Sequence, residues 1–300
     1  MNSDSASFRF LPCIDSAAMA TARRAELDVP RKHATMLGVT SIEAAKLGYF
    51  TNAAGEKVEW REQIEQACSA KKSIRPDDTL PARPTRHHEE TLVQVVNETT
   101  LQAARRFTES GLEPLALNFA NGIHPGGGFL NGARAQEEVL CRSSALYETL
   151  VHDPMYEYHK QQPLPDSSDW TIYSPRVPVF RRDDGTPHDV PWLLSFITSA
   201  APYAPRVGQP ASGDLLRQRI WRILAIASAL GYEALVLGAW GCGAFGNDPQ
   251  RTAFDFREAL ETTYRGRFSD VVFAVTDWSP ERKTLGPFRD VFSASNPTKL

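Results

Sequence analysis

The spacing of apolar and polar positions changes character near residue 90. Before it, apolar residues recur at helical intervals, and the spacing predicts helices near 16–26, 41–47 and 60–72, with a short strand around 57–60. Arg75, Pro76, Asp77 and Asp78 then lead through Pro81 and Pro84 into a polar run ending at Glu90, a proline density that reads as a linker. From Thr91 onward short apolar runs alternate with amphipathic stretches. They predict strands at 91–96, 114–119, 170–173, 192–198, 234–237 and 270–275, and helices at 98–109, 135–151, 214–230 and 249–263. Asn97 and Ser212 stand where the first and third of these helices need caps, and Gly231 ends the third. Leu216, Ile220, Ile223, Leu224 and Ala227 make the buried stripe of that third helix. Val139, Ser143, Leu146 and Leu150 fall along one side of 135–151. Arg181, Arg182, Asp183, Asp184 and Gly185 read as an exposed charged turn.

Strands separated by helices, with glycine-rich loops after strands, indicate an α/β layered domain. The organisation expected is a mainly helical accessory segment, 1–85, followed by the functional domain, 86–300.

Composition narrows the function classes. The chain of 300 residues is long enough for a sizeable core, and 42% hydrophobic with 23% charged residues is ordinary for a soluble globular protein. A net charge of −3 supplies no global basic field, so sequence-specific capture of nucleic acid is not expected. Cys13, Cys68, Cys141 and Cys242 form no CxxC pair, which argues against a structural metal site and fits reduced thiols. Ser3, Asp4 and Ser5 stand where a secretory leader would carry basic and apolar residues, and no apolar run nears the roughly 18 residues a membrane span needs. A cytoplasmic chain with no membrane partner, metal or organic cofactor is the expectation. His87 and His88, beside Glu89 and Glu90, read as a solvated linker rather than a metal site.

Two loops carry the chemistry. The first runs from Asn118 through Asn121, His124, Pro125 and the triplet Gly126, Gly127, Gly128 to Gln136, Glu137 and Glu138. Three glycines in a row are poor helix or strand interior; their use is close backbone approach and positive φ, with amides able to cradle phosphate or ribose oxygens. A tight surface turn is the plain alternative. Acidic residues in a first helical turn are also common, so Glu137 and Glu138 could be a solvated helix start. The adjacency favours chemistry: glycosidic hydrolysis needs an acid near the leaving oxygen and a base for water. Neighbours on a helix diverge by roughly 100°, so one carboxyl can hold the sugar while the other moves the proton.

The second loop, 238–246, contains Gly241, Cys242, Gly243, Ala244 and Phe245 after a buried strand and before a helix. That is where ligands bind in open α/β sheets, and its amides suit a diphosphate. Phe245 could stack on a sugar or simply anchor the loop. The loop lacks GxxxxGK[ST] and a Rossmann ribose acid. With no histidine near it in sequence, Cys242 is not expected to be a nucleophile.

These residues resemble the poly(ADP-ribose) glycohydrolase family in its shorter bacterial and fungal form, whose signature is GGG, six to eight residues, then QEE. Here seven residues separate Gly128 from Gln136. Asn118, Phe119, Ala120 and Asn121, the run Leu140, Cys141, Arg142, Ser143, Ser144, and the strand exit Ile197, Thr198, Ser199, Ala200, Ala201, Pro202 are similar too. The resemblance covers most of 90–280 and implies a macrodomain-like three-layer α/β/α fold with a mixed central sheet. It implies ADP-ribose polymer on modified proteins as the substrate, attacked from its end. Glu138 would protonate the leaving 2′ oxygen and then activate water, and Glu137 would hold ribose hydroxyls. The Gly126, Gly127 and Gly128 amides would approach the ribose, Asn121 would orient the sugar or the loop, and Gln136 and Thr198 would also bind substrate; Gly241, Cys242, Gly243, Ala244 and Phe245 would wrap the diphosphate, with Phe245 near the ribose. Asn118 stands where animal members carry aspartate, and Tyr203 where asparagine is frequent. A non-catalytic ADP-ribose reader, which needs no acid at position 138, and a hydrolase of single ADP-ribose groups are the competing readings. A partner-binding role for 1–85 is a third.

Overall fold

The computed structural model describes residues 6–82, 87–163 and 168–293. Ser3, Asp4, Ser5 and Pro84 lie outside the described residues. In chain order the first elements are β1 (Ser7–Phe10), α1 (Ala17–Leu27), α2 (Arg31–Leu47), β2 (Tyr49–Thr51), β3 (Lys57–Glu59), α3 (Arg61–Ala70) and β4 (Lys72–Ile74). Next come β5 (Glu90–Val96), α4 (Thr100–Glu109), β6 (Pro114–Ala120), α5 (Gln136–Ser143), α6 (Leu146–Leu150) and α7 (Pro154–Lys160). The rest are β7 (Thr171–Arg181), β8 (Pro187–Ala200), α8 (Ala204–Val207), α9 (Ala211–Ala229), β9 (Ala234–Leu237), α10 (Pro249–Glu261), β10 (Asp270–Ala274) and α11 (Leu285–Val291). The chain is mixed α/β with a large, mostly parallel sheet. Among the described residues no helix is long and apolar enough to cross a membrane.

Two compact units part the chain. One comprises Met1–Arg23, Asp77–Leu117 and Ala201–Leu300; the other comprises Arg24–Pro76 and Asn118–Ala200.

In the first unit the strand order is β1-β5-β10-β9-β6, parallel throughout. Parallel neighbours need crossovers, and α4 and α10 follow β5 and β9 in that role. All four residues of β9 are buried, as its unbroken apolar run requires. On α9 the expected stripe of Leu216, Ile220, Ile223, Leu224 and Ala227 is buried. Two caps differ from expectation. Thr99, not Asn97, caps α4, in a reciprocal capping box with Gln102. Asn97 is instead a buried cross-link: its amide donates to Asp15 Oδ1 at 2.8 Å and to the Asp277 carbonyl at 2.7 Å. Ser212 lies inside α9, and its hydroxyl donates to Asn247 Oδ1 at 2.6 Å.

In the second unit β8, β7 and β4 pair antiparallel in that order. β7 and β8 extend well beyond the predicted 170–173 and 192–198, with one register shift at Pro175 and Arg176, between Ser174 and Val177, and another between Val179 and Arg181. The turn between them was expected to be exposed, but Asp183 is buried and its carbonyl accepts from the buried Arg142 guanidinium at 3.4 Å. Helix 135–151 is two helices. Ser144 is extended (φ −146°, ψ 175°), donates to the Leu140 carbonyl at 2.7 Å and accepts the Leu146 N–H at 3.2 Å. Its hydroxyl thus ends α5 and starts α6, the local competition that makes serine a poor helix interior. The helix predicted at 41–47 is the C-terminal part of the longer α2, which packs on α5.

Candidate active site

The carboxyl pair is built wholly within the second unit. β6 ends at Ala120 and α5 begins at Gln136, so the loop between them must return the chain over a short distance. Gln136 Oε1 accepts the Phe119 N–H at 2.9 Å, latching the helix start to the strand end. Asn121 Oδ1 accepts the N–H groups of Ile123 and His124, both at 3.0 Å, an Asx-turn that starts the return. The Gly127 N–H then donates to the His124 carbonyl at 2.9 Å.

Gly127 has φ +58°, and a Cβ there would collide with Glu138 Oε1 and come 3.1 Å from Glu137 Oε2. The glycine turn therefore lies directly against both carboxyls. Glu138 Oε1 accepts the Gly128 N–H at 2.9 Å. Glu138 Oε2 is buried and meets no hydrogen-bond partner among the described residues. Glu137 Oε2 accepts the Asn121 N–H at 2.7 Å, and its Oε1 accepts from Asn118 Nδ2 at 3.3 Å. Asn118 Nδ2 also donates to Thr198 Oγ1 at 3.2 Å, and Thr198 is wholly buried.

Relative exposures of 3% for Glu137 and 9% for Glu138 rule out a solvated helix start. Burial is the largest influence on Glu137 and pushes its pKa up to about 8; the Asn121 N–H opposes this and repulsion from Glu138 adds to it. The pair thus retains a proton through neutral pH. Nearby, burial holds the Cys141 thiol well above the ordinary range, which keeps it un-ionised.

The second glycine loop belongs to the first unit. Gly241 has φ +75°, and a Cβ there would sit 2.7 Å from Ala201 Cβ and from Asn247 Nδ2. Asn247 ties the loop together, a role that gave no signal in sequence: its amide donates to the carbonyls of Pro202 at 2.8 Å and Gly241 at 3.2 Å. The N–H groups of Gly243, Ala244 and Phe245 donate to nothing among the described residues. These amides are therefore open to an external acceptor. Phe245 meets Tyr203 edge-on at 5.7 Å between ring centres. Burial pushes the Cys242 thiol up to about 12, and the sulfur lies 3.5 Å from both the Trp240 carbonyl and Thr252 Oγ1, as expected of a structural cysteine.

The structure therefore gathers Asn121, Gly126, Gly127, Gly128, Gln136, Glu137, Glu138 and Thr198 in one unit, and Gly241, Cys242, Gly243, Ala244 and Phe245 in the other. Within the carboxyl site, Gln136 and Thr198 bond to protein groups, and Asn121 shapes the loop with its side chain. Sequence reasoning missed α7 and its buried His159, although Asp153 followed by Pro154 is a helix-start signal.

A family profile described as "Microbial-type PARG, catalytic domain" matches residues 39–182. The poly(ADP-ribose) glycohydrolase (PARG) of Thermomonospora curvata is 37% identical, with 87% of this chain and 99% of that one aligned at a TM-score of 0.79. The chain belongs to the poly(ADP-ribose) glycohydrolase family. It is a hydrolase of poly(ADP-ribose). The Thermomonospora curvata PARG bound to the inhibitor ADP-HPD is 38% identical, covering 86% of this chain and 99% of that one, with a TM-score of 0.79. Deinococcus radiodurans PARG in complex with ADP-ribose is 39% identical, covering 78% and 98%, with a TM-score of 0.71. No curated protein sequence matches significantly.

In this PARG the Gly127 contact gives a direct test. Gly127→Ala must strain a left-handed backbone and push Glu138 Oε1 aside. The expected result is roughly 10-fold slower polymer turnover and a stability loss of about 1–3 kcal/mol. Gly243→Ala, whose added Cβ meets nothing within 4 Å, is the stability control, and it should unfold within about 0.5 kcal/mol of the parent. Thermal unfolding and ADP-ribose release check both.

Proposed function

We propose that Glu138 alone performs the acid/base chemistry of ribose–ribose bond hydrolysis, with Glu137 fixing the sugar. One observation carries the reading: Glu138 has one carboxyl oxygen pinned by the Gly128 N–H and the other buried without a partner among the described residues. A buried polar atom left unsatisfied costs free energy, and a substrate oxygen or water would satisfy it.

The two-carboxylate template of glycosidases sets its acids on opposite sides of the scissile bond. Here both carboxyls flank one residue, Gly127, so they share a side. Single-residue chemistry follows. Protonated Glu138 gives its proton to the 2′ oxygen as the bond from the anomeric carbon to that oxygen breaks. The distal ribose passes through an oxocarbenium-like state. Water adds to the anomeric carbon and returns its proton to Glu138. The raised proton affinity of its neighbour keeps a proton within the pair at working pH.

The amides of Gly243, Ala244 and Phe245 are assigned to the diphosphate. The fold is read as a macrodomain-like α/β/α arrangement, supported by the parallel strands and a glycine loop directly after β9. Protein-bound polymer cut from its end is the assigned substrate, and the product profile tests this: free ADP-ribose without oligomers is expected. The test of the catalytic assignment is polymer hydrolysis by Glu138→Gln, and turnover equal to the parent overturns it.

A further inference from the structure

We infer that His159 is a positioning residue for the reaction, holding the first loop so that the glycine turn meets the carboxyl pair. His159 lies on α7 and is wholly buried. Its Nδ1 is 2.8 Å from the Gly122 carbonyl oxygen. A carbonyl only accepts, so Nδ1 carries hydrogen and donates. Its Nε2 is 2.6 Å from Ser168 Oγ, which also accepts the Trp170 N–H at 3.1 Å. The Gly122 carbonyl thus requires hydrogen on Nδ1, whatever the state of Nε2.

The bond to Gly122 has a consequence for the loop. The same peptide unit supplies the Gly122 carbonyl and the Ile123 N–H. His159 holds the carbonyl, and Asn121 Oδ1 holds the N–H at 3.0 Å. One peptide plane is thereby pinned at both its polar groups. Beside it stands Asn121, whose own N–H fixes Glu137. The turn that it opens brings Gly127 against both carboxyls and the Gly128 N–H onto Glu138.

The helix that carries His159 is itself anchored. Asp153 caps α7 through the Met155 N–H at 3.0 Å, accepts the Ser73 hydroxyl at 2.9 Å and pairs with Lys71 at 3.1 Å. Trp170 Nε1 donates to Ser73 Oγ at 2.8 Å. Contacts thus run from β4, within the first 85 residues, through α7 to the loop.

The inference rests on the reading that the Glu137 and Glu138 site does the chemistry, and the experiment separates the two. Asparagine can place an amide donor where Nδ1 stands, whereas glutamine places its polar atoms where Nε2 stands. His159→Asn should keep kcat within about threefold of the parent. His159→Gln and His159→Phe should each lose roughly 10-fold or more in kcat, with KM and the ADP-ribose Kd within about threefold. Rates are read well below the unfolding temperature of every variant. A purely structural role lowers the unfolding temperature of Asn and Gln variants without separating their kcat values; equal kcat in that pair overturns the inference. Should His159→Phe fail to fold, the Asn and Gln pair still decides. Glu138→Gln is run alongside, and if it turns over normally the catalytic reading falls, whatever the His159 variants do.

Discussion

Replacing Glu138 with glutamine is expected to cut polymer turnover by a factor on the order of 10² or more while leaving ADP-ribose binding within about threefold. Glutamine keeps the shape of the side chain, and its carbonyl oxygen can still accept the Gly128 N–H that positions Oε1 at 2.9 Å. The glycine turn and Glu137 keep their contacts, and the second loop is untouched. Only the exchangeable proton is lost. A neutral amide cannot protonate the leaving 2′ oxygen, nor can it take a proton from the attacking water, so both halves of the reaction slow. An alanine in the same place would remove the anchor as well and confuse chemistry with loop position. Free ADP-ribose released from polymer measures turnover, and titration calorimetry with ADP-ribose measures binding. Loss of turnover together with loss of binding would mean that Glu138 holds the nucleotide rather than moves the proton.

Much of the framework was legible because the relevant signals are local. The unbroken apolar run of β9, the stripe of α9 and the glycines that follow β6 and β9 each follow from a few neighbouring residues. What could not be read depends on partners distant in the chain. Glu137 and Glu138 look like ordinary first-turn acids until the loop folds Gly127 over them. Asn97 looks like a cap, yet its amide is used by Asp15 and Asp277, and the cap falls two residues later at Thr99. Pro175 and Pro178 suggest the end of a strand, yet β7 runs through them, with its register shift between Ser174 and Val177. A lone histidine on a seven-residue helix has no period to betray it, so His159 became visible only through Gly122 and Ser168.

Glu137→Gln should change how stability depends on pH. In the parent, burial raises the Glu137 pKa from an ordinary 4.5 to about 8. Between those values the folded protein binds a proton that the unfolded chain has released. Stability from this group is therefore complete below about pH 4.5, falls as pH rises, and is fully lost above about pH 8. The expected loss across that window is at most about 5 kcal/mol. Glutamine has no proton to lose. Its carbonyl oxygen can accept the Asn121 N–H as Oε2 does now. Its amide can donate to Asn118 if that side chain turns over, which brings forward Asn118 Oδ1, an atom with no hydrogen-bond partner among the described residues. The variant should thus match the parent near pH 5 and exceed it in stability at pH 9, while losing activity because the ribose contact is altered. Denaturant unfolding at both pH values is the measurement. Parallel decline of parent and variant would show that Glu137 is not the group whose proton sets this pH dependence.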